Sequence, residues 1–182
     1  MIKITDDNIH DLVNEWDNNI NRTEIIKIYG HISDWDTSCV TNMYELFAAH
    51  ENFNEDISRW DVSKVTDMSD MFYDAMKFNQ PLNDWDVSNV ENMSDMFSHA
   101  LKFNQPLNKW NISNVKQMSR MFEGTENFNQ PLNYWNLTKV YDISFMFYNA
   151  KKFDQNLNNW DISNVENMSY IFCEASNFKE SN

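Results

Sequence analysis

Tryptophan occupies Trp35, Trp60, Trp85, Trp110, Trp135 and Trp160, each 25 residues after the last, and no insertion or deletion disturbs the count. Other slots keep step. One holds Phe53, Phe78, Phe103, Phe128, Phe153 and Phe178; a second Phe series runs from Phe47 to Phe172; Val runs from Val40 to Val165. Met, Leu or Ile fills two more, from Met43 to Met168 and from Leu46 to Ile171, and a further Ile or Leu slot runs from Ile57 to Leu157. One such unit cannot bury its apolar side alone. Equal coils must stack so that like residues meet along an axis. With about eight large apolar slots per coil, each contributing roughly 1.5–3 kcal/mol on burial, stacking is expected to dominate stability.

Two short elements are expected in the unit that starts at Phe78. Leu82 to Ser88 reads as a strand, bulged so that Leu82, Trp85 and Val87 all face inward. Ser94 to Ala100 reads as a helical turn or two, with Ser94 as N-cap and Met93, Met96, Phe97 and Ala100 on one face. Gly and Pro number only 2 and 3 in 182 residues, so the turns must use Asn, Asp and Ser. The slot after each Trp holds Asp36, Asp61, Asp86, Asn111, Asn136 and Asp161. It is read as a series of Asx turns, not a calcium ladder: Asn replaces Asp freely there, whereas calcium takes roughly six to eight oxygens. The buried indoles need acceptors, which Asn83, Asn108, Asn133 and Asn158 are spaced to supply, unless they bond backbone as an asparagine ladder.

Residues 1–34 depart from the pattern and read as an N-terminal cap. Ile9, Leu12, Val13 and Trp16 share one face of a helix capped by Thr5 or Asp6. Glu24 to Tyr29 reads as a strand closed by Gly30, with Ile28 and Ile32 in the Phe and Leu slots of the repeat. Residues 35–182 then form six coils, the last incomplete.

The formal net charge of −14 argues against nucleic acid or an anionic membrane as partner. No apolar run is long enough to be inserted across a bilayer. The opening residues, Met1 to Asp7, lack the apolar core of a secretory signal. The two cysteines, Cys39 and Cys173, fall about five coils apart, too far to bond each other. A cytoplasmic or virion-associated setting is expected.

The unit Phe-Asn-Gln-Pro-Leu-Asn-x-Trp-Asp-Val-Ser-Asn-Val-x-x-Met-Ser-x-Met-Phe-x-x-Ala recurs over residues 28–178. It resembles the BspA-like repeat of mycoplasma-type surface lipoproteins of unknown function, also found in lactic bacteria, protists and giant DNA viruses. The resemblance implies an α/β fold: a right-handed, leucine-rich-repeat-like solenoid, with one short parallel strand and one short helical turn per coil. Bacterial members are implied to be surface adhesins or host-interaction proteins. Without a lipoprotein signal, an intracellular member of viral or protist type is expected here.

No catalytic constellation emerges. His10, His31, His50 and His99 are scattered, and the recurring Ser and Asp belong to every unit, whereas an active site needs a unique arrangement. No enzymatic activity, cofactor or metal is expected. Recognition should lie where the coils differ. The slot two residues beyond the Met series runs Glu45, Asp70, Asp95, Arg120, Phe145, Tyr170, and an outer slot runs Ala48, Tyr73, Ser98, Glu123, Tyr148, Cys173. Toward the C-terminal coils these surfaces turn aromatic, at Tyr134, Tyr141, Phe145, Tyr148 and Tyr170, with Phe145 and Tyr170 as stacked neighbours. This group is the expected site for a protein partner; its other reading is lateral shielding of the core. A protein-interaction scaffold is the expected function. The competing expectations are a glycan-binding adhesin and a structural protein forming homo-oligomers through its C-terminal coil.

Overall fold

In the computed structural model, which describes residues 3–179, regular secondary structure ends where the repeats begin. Helix α1 (Ile9–Asp17), helix α2 (Arg22–Tyr29) and a 3-10 turn (Ile32–Asp34) all precede Trp35. Beyond it the described chain is turns and links. Isolated parallel bridges join Asn42, Asp67, Asn92, Gln117, Asp142 and Asn167 in succession from coil to coil. The expected leucine-rich-repeat-like α/β coil is overturned, because among the described residues no coil contains a helix or a strand longer than one bridge. Residues 180–182 of the expected last coil lie outside the described residues.

Hydrogen bonding gives the reason. Each coil bends through successive short turns, in which Trp85 N–H donates to the Leu82 carbonyl (3.1 Å), Val90 to Val87 (3.0 Å) and Ala100 to Phe97 (2.9 Å). Where the helical turn was expected, alternate amides point along the stack. Met93, Asp95, Phe97 and His99 donate to the carbonyls of Gln117, Ser119, Met121 and Glu123 in the next coil, at 3.0, 2.9, 3.0 and 2.7 Å. An α-helix would commit those amides to its own carbonyls four residues back, so the helix and this ladder exclude each other. Asp95 and His99 accordingly take φ of +55° and +58°, outside the helical region. Ser94 caps nothing, and its Oγ is buried without a partner. In place of the expected strand, turns at Leu82–Trp85 and Val87–Val90 bring Leu82, Trp85 and Val87 inside.

The side-chain-built turns are present as read. Asp36, Asp61, Asp86, Asn111, Asn136 and Asp161 each accept at Oδ1 from the amide two residues on, at 3.0–3.2 Å. A second Asx series, at Asn42, Asp67, Asn92, Asp142 and Asn167, was not expected. The asparagine ladder sits mainly in another slot: Asn54, Asn79, Asn104 and Asn129 accept from the amides of Asn79, Asn104, Asn129 and Asp154 at 2.9–3.0 Å.

Two ladders of Phe rings form the core. Phe47, Phe72, Phe97, Phe122, Phe147 and Phe172 stack at 5.4–5.8 Å between centroids. The Phe53-to-Phe178 series stacks at 6.0–6.1 Å beside it. Trp35 and Trp60 also stack, at 6.0 Å, but later indoles lie against Phe, as Trp110 does on Phe97 at 6.3 Å. Each repeat indole N–H, from Trp35 to Trp160, donates to a backbone carbonyl rather than to the Asn83 slot, as Trp85 does to Ile57 (3.2 Å), Trp110 to Leu82 (2.8 Å) and Trp135 to Leu107 (3.3 Å).

The cap differs from expectation in three ways. Glu24 to Tyr29 is part of α2, not a strand: Ile25 is buried and Tyr29 packs partly buried against the core, while Ile26 and Ile28 are exposed. Gly30, at φ +82°, terminates it. Ile28 therefore does not fill the buried Phe slot, whereas Ile32 does act as a Leu slot, its carbonyl accepting from Trp60 Nε1 at 2.8 Å. Asn8, not Thr5 or Asp6, is the residue before α1. Asp6 instead ties the cap to the first coil, accepting from Thr41 N–H (2.7 Å) and Thr41 Oγ1 (2.6 Å). Ile9, Val13 and Trp16 seal the stack from that end.

Candidate functional site

The slot Glu45, Asp70, Asp95, Arg120, Phe145, Tyr170 has left-handed backbone throughout, with φ between +54° and +58°. In each of the first five coils that residue's amide donates along the stack, as Phe145 does to Ser169 at 2.9 Å. Left-handed geometry costs a non-glycine residue roughly 1–2 kcal/mol, and the inter-coil bond offsets it. The side chains form one outer column whose chemistry changes from acid to cation to aromatic.

At the aromatic end, Phe145 and Tyr170 stack at 4.9 Å between centroids, and Tyr148 tilts against Phe145 at 5.8 Å. The Arg120 guanidinium lies 4.3 Å from the centre of the Phe145 ring while donating to Glu123 at 2.8 Å. Tyr170 is 63% exposed, whereas Phe145 and Tyr148 are half-buried. These three are brought together. Tyr134 is 77% exposed in the Leu132–Trp135 turn and makes no ring contact with them among the described residues. Tyr141 is also apart, its hydroxyl taken by Gln117 Nε2. The expected five-residue site is thus a three-residue cluster plus two separate tyrosines.

Beside the cluster lies a cleft of about 470 Å³ that the sequence reading did not single out. Glu45, Asp70, Asp95, Tyr73, Ser98, His99, Arg120 and Glu123 line it. Burial, and then Glu45, raises the Asp70 carboxyl above its usual range. Burial, then Asp70, pushes Asp95 up to about 6. The signal was present in the acidic first half of the variable slot, but only stacking turns residues 25 apart into neighbours.

Among the described residues, no three His, Cys, Asp or Glu side chains converge to hold a metal ion. No helix there is long and apolar enough to cross a membrane.

The family described as Mycoplasma protein of unknown function, DUF285, matches residues 12–126 and 83–182. The chain belongs to this family. No curated protein and no solved structure matches it. The DUF285 match begins within α1 and takes in α2 and every coil, and so covers the whole candidate site.

Proposed function

We propose that this DUF285 chain is a non-enzymatic scaffold of the BspA-like kind. It binds a protein partner through the outer column, with Phe145 and Tyr170 as anchors, in an intracellular or virion-associated setting. The observation that carries this reading is the stacked pair of half-buried Phe145 and exposed Tyr170, backed by Arg120 and Tyr148. Rigid aromatic area beside a guanidinium is the composition that dominates binding energy at protein interfaces. The Trp series gives little support to the glycan-binding reading, because Trp35 through Trp135 are buried with their N–H groups bonded to backbone. The test is affinity capture from the native cell with wild-type chain and the Phe145→Ala/Tyr170→Ala variant. Loss of specific partners from the variant is expected, and an unchanged partner list would remove the assignment.

A second reading, self-association, rests on the last coil. Ile162 and Met168 are 43% and 45% exposed there, beside half-buried Leu157, Trp160, Ile171 and Phe172. Sedimentation over rising concentration tests it: a monomer throughout ends this reading.

A further inference from the structure

Two observations coincide at the acidic cleft. At some other acids the stack supplies a lysine one repeat away: Lys109 for Asp84 and Lys116 for Glu91, both at 2.7 Å, and Lys151 for Glu126 at 2.5 Å. Among the described residues no such ion pair reaches Glu45, Asp70 or Asp95. They stand in one column on successive coils, and the nearest guanidinium, Arg120, is committed to Glu123. Second, Ser98 on the cleft lining is 1% exposed, and its buried Oγ has no hydrogen-bond partner within the protein. A buried hydroxyl left unpaired is destabilising.

We propose that this cleft receives a lysine or arginine side chain of a partner polypeptide, with Asp70 and Asp95 as counter-charges and Ser98 Oγ as hydrogen-bond acceptor. The inference rests on the scaffold reading above and names the partner's chemistry as a basic segment. The chain displays the same recognition one coil further on, where the Arg120 guanidinium sits between Glu123 and the Phe145 ring. Tyr73 and His99 form the remaining polar wall, their rings edge-on at 6.1 Å. The missing convergence of metal-holding side chains among the described residues favours an extended organic cation over a metal ion. A basic segment in the cleft would run on along the column to the aromatic cluster.

The test is binding of a fluorescent tetra-arginine peptide to the full chain, read by anisotropy at physiological salt. Asp70→Asn/Asp95→Asn should weaken binding by about tenfold or more, and Ser98→Ala by a few-fold, as loss of charge-assisted hydrogen bonds predicts. Glu51→Gln/Glu166→Gln removes the same two charges outside the cleft and should leave binding within about twofold of wild type. Equal weakening by both double variants would reduce the effect to net charge and overturn the proposal. So would cleft-dependent binding of free spermidine with none of the peptide, which would make the ligand a small polyamine. Circular dichroism verifies that each variant is folded. Peptide binding lost in Asp70→Asn/Asp95→Asn, with partner capture unchanged in Phe145→Ala/Tyr170→Ala, would sink the aromatic assignment and keep the cleft. The converse pattern would sink the cleft alone.

Discussion

Asp61 and Asp95 are both repeat carboxylates, yet their surroundings drive them in opposite directions. Hydrogen bonds from the Ser63 side chain and amide hold Asp61 below the usual carboxylate range, and Ser38 does the same for Asp36. Asp95 is raised to about 6, first by burial, then by Asp70, with Glu123 adding and Arg120 opposing. The signs follow from linkage. The folded chain binds an extra proton at Asp95 between the ordinary carboxylate range and about 6, so this residue adds stability as pH falls through 6. Asp36 and Asp61 contribute stability at higher pH that is lost as pH falls below the ordinary carboxylate range. Urea unfolding should therefore show stability rising from about pH 7 to about pH 5, then falling below about pH 4. Lower net charge also favours folding over the upper interval, so the diagnostic quantity is the difference from Asp95→Asn. That variant should gain most over wild type near neutral pH, less near about pH 5 and least below about pH 4; parallel profiles would show that Asp95 is not the source.

The turns are the true elements of the repeat, and their strain is testable. A second left-handed column runs Ala49, Asp74, His99, Gly124, Asn149, Glu174, with φ from +54° to +64°. Ala49→Gly should stabilise the chain by about 0.5–1 kcal/mol, the left-handed cost removed less the entropy glycine loses, read as a higher urea midpoint. Gly124→Ala should destabilise by roughly 1–2 kcal/mol, because its Cβ would fall 2.4 Å from His99 Nδ1. Adding His99→Ala should recover part of that loss; no recovery would place the whole cost in the backbone. The Asx turns were legible because Asp or Asn two residues before Ser or Thr is a local signal. The absence of helix was not legible. Met93, Met96, Phe97 and Ala100 have helical spacing and are all buried, but the destination of the alternate amides depends on a coil 25 residues away.

Across the whole molecule, each coil depends chiefly on its neighbours. Phe122 touches Phe97, Phe128, Trp135 and Phe147 at 5.8, 4.1, 6.2 and 5.6 Å between centroids, so Phe122→Ala should cost about 3–5 kcal/mol. With nearest-neighbour coupling, hydrogen exchange should show graded protection. Amides from Val90 to Phe147, in coils with a described coil on both sides, should exchange slowest, and those of Leu157 to Phe178, which pack against a described coil on one side alone, fastest. Uniform protection along the stack would instead mean that the chain opens as a single cooperative unit.

The sequence by itself determined the register, the inward residues and the Asx turns. A fixed 25-residue period allows only equal stacked coils, and an Asx turn needs nothing beyond its own three residues. The tertiary structure decided the rest. It chose turns over strand and helix because the amides of one coil are satisfied by the next. It sent the indole N–H groups from Trp60 onward to backbone carbonyls 28 residues back. It also separated Tyr134 and Tyr141 from the Phe145 cluster while assembling an acidic cleft from residues a full repeat apart. Each of these depends on the rotation and rise from coil to coil, geometry that no single repeat encodes.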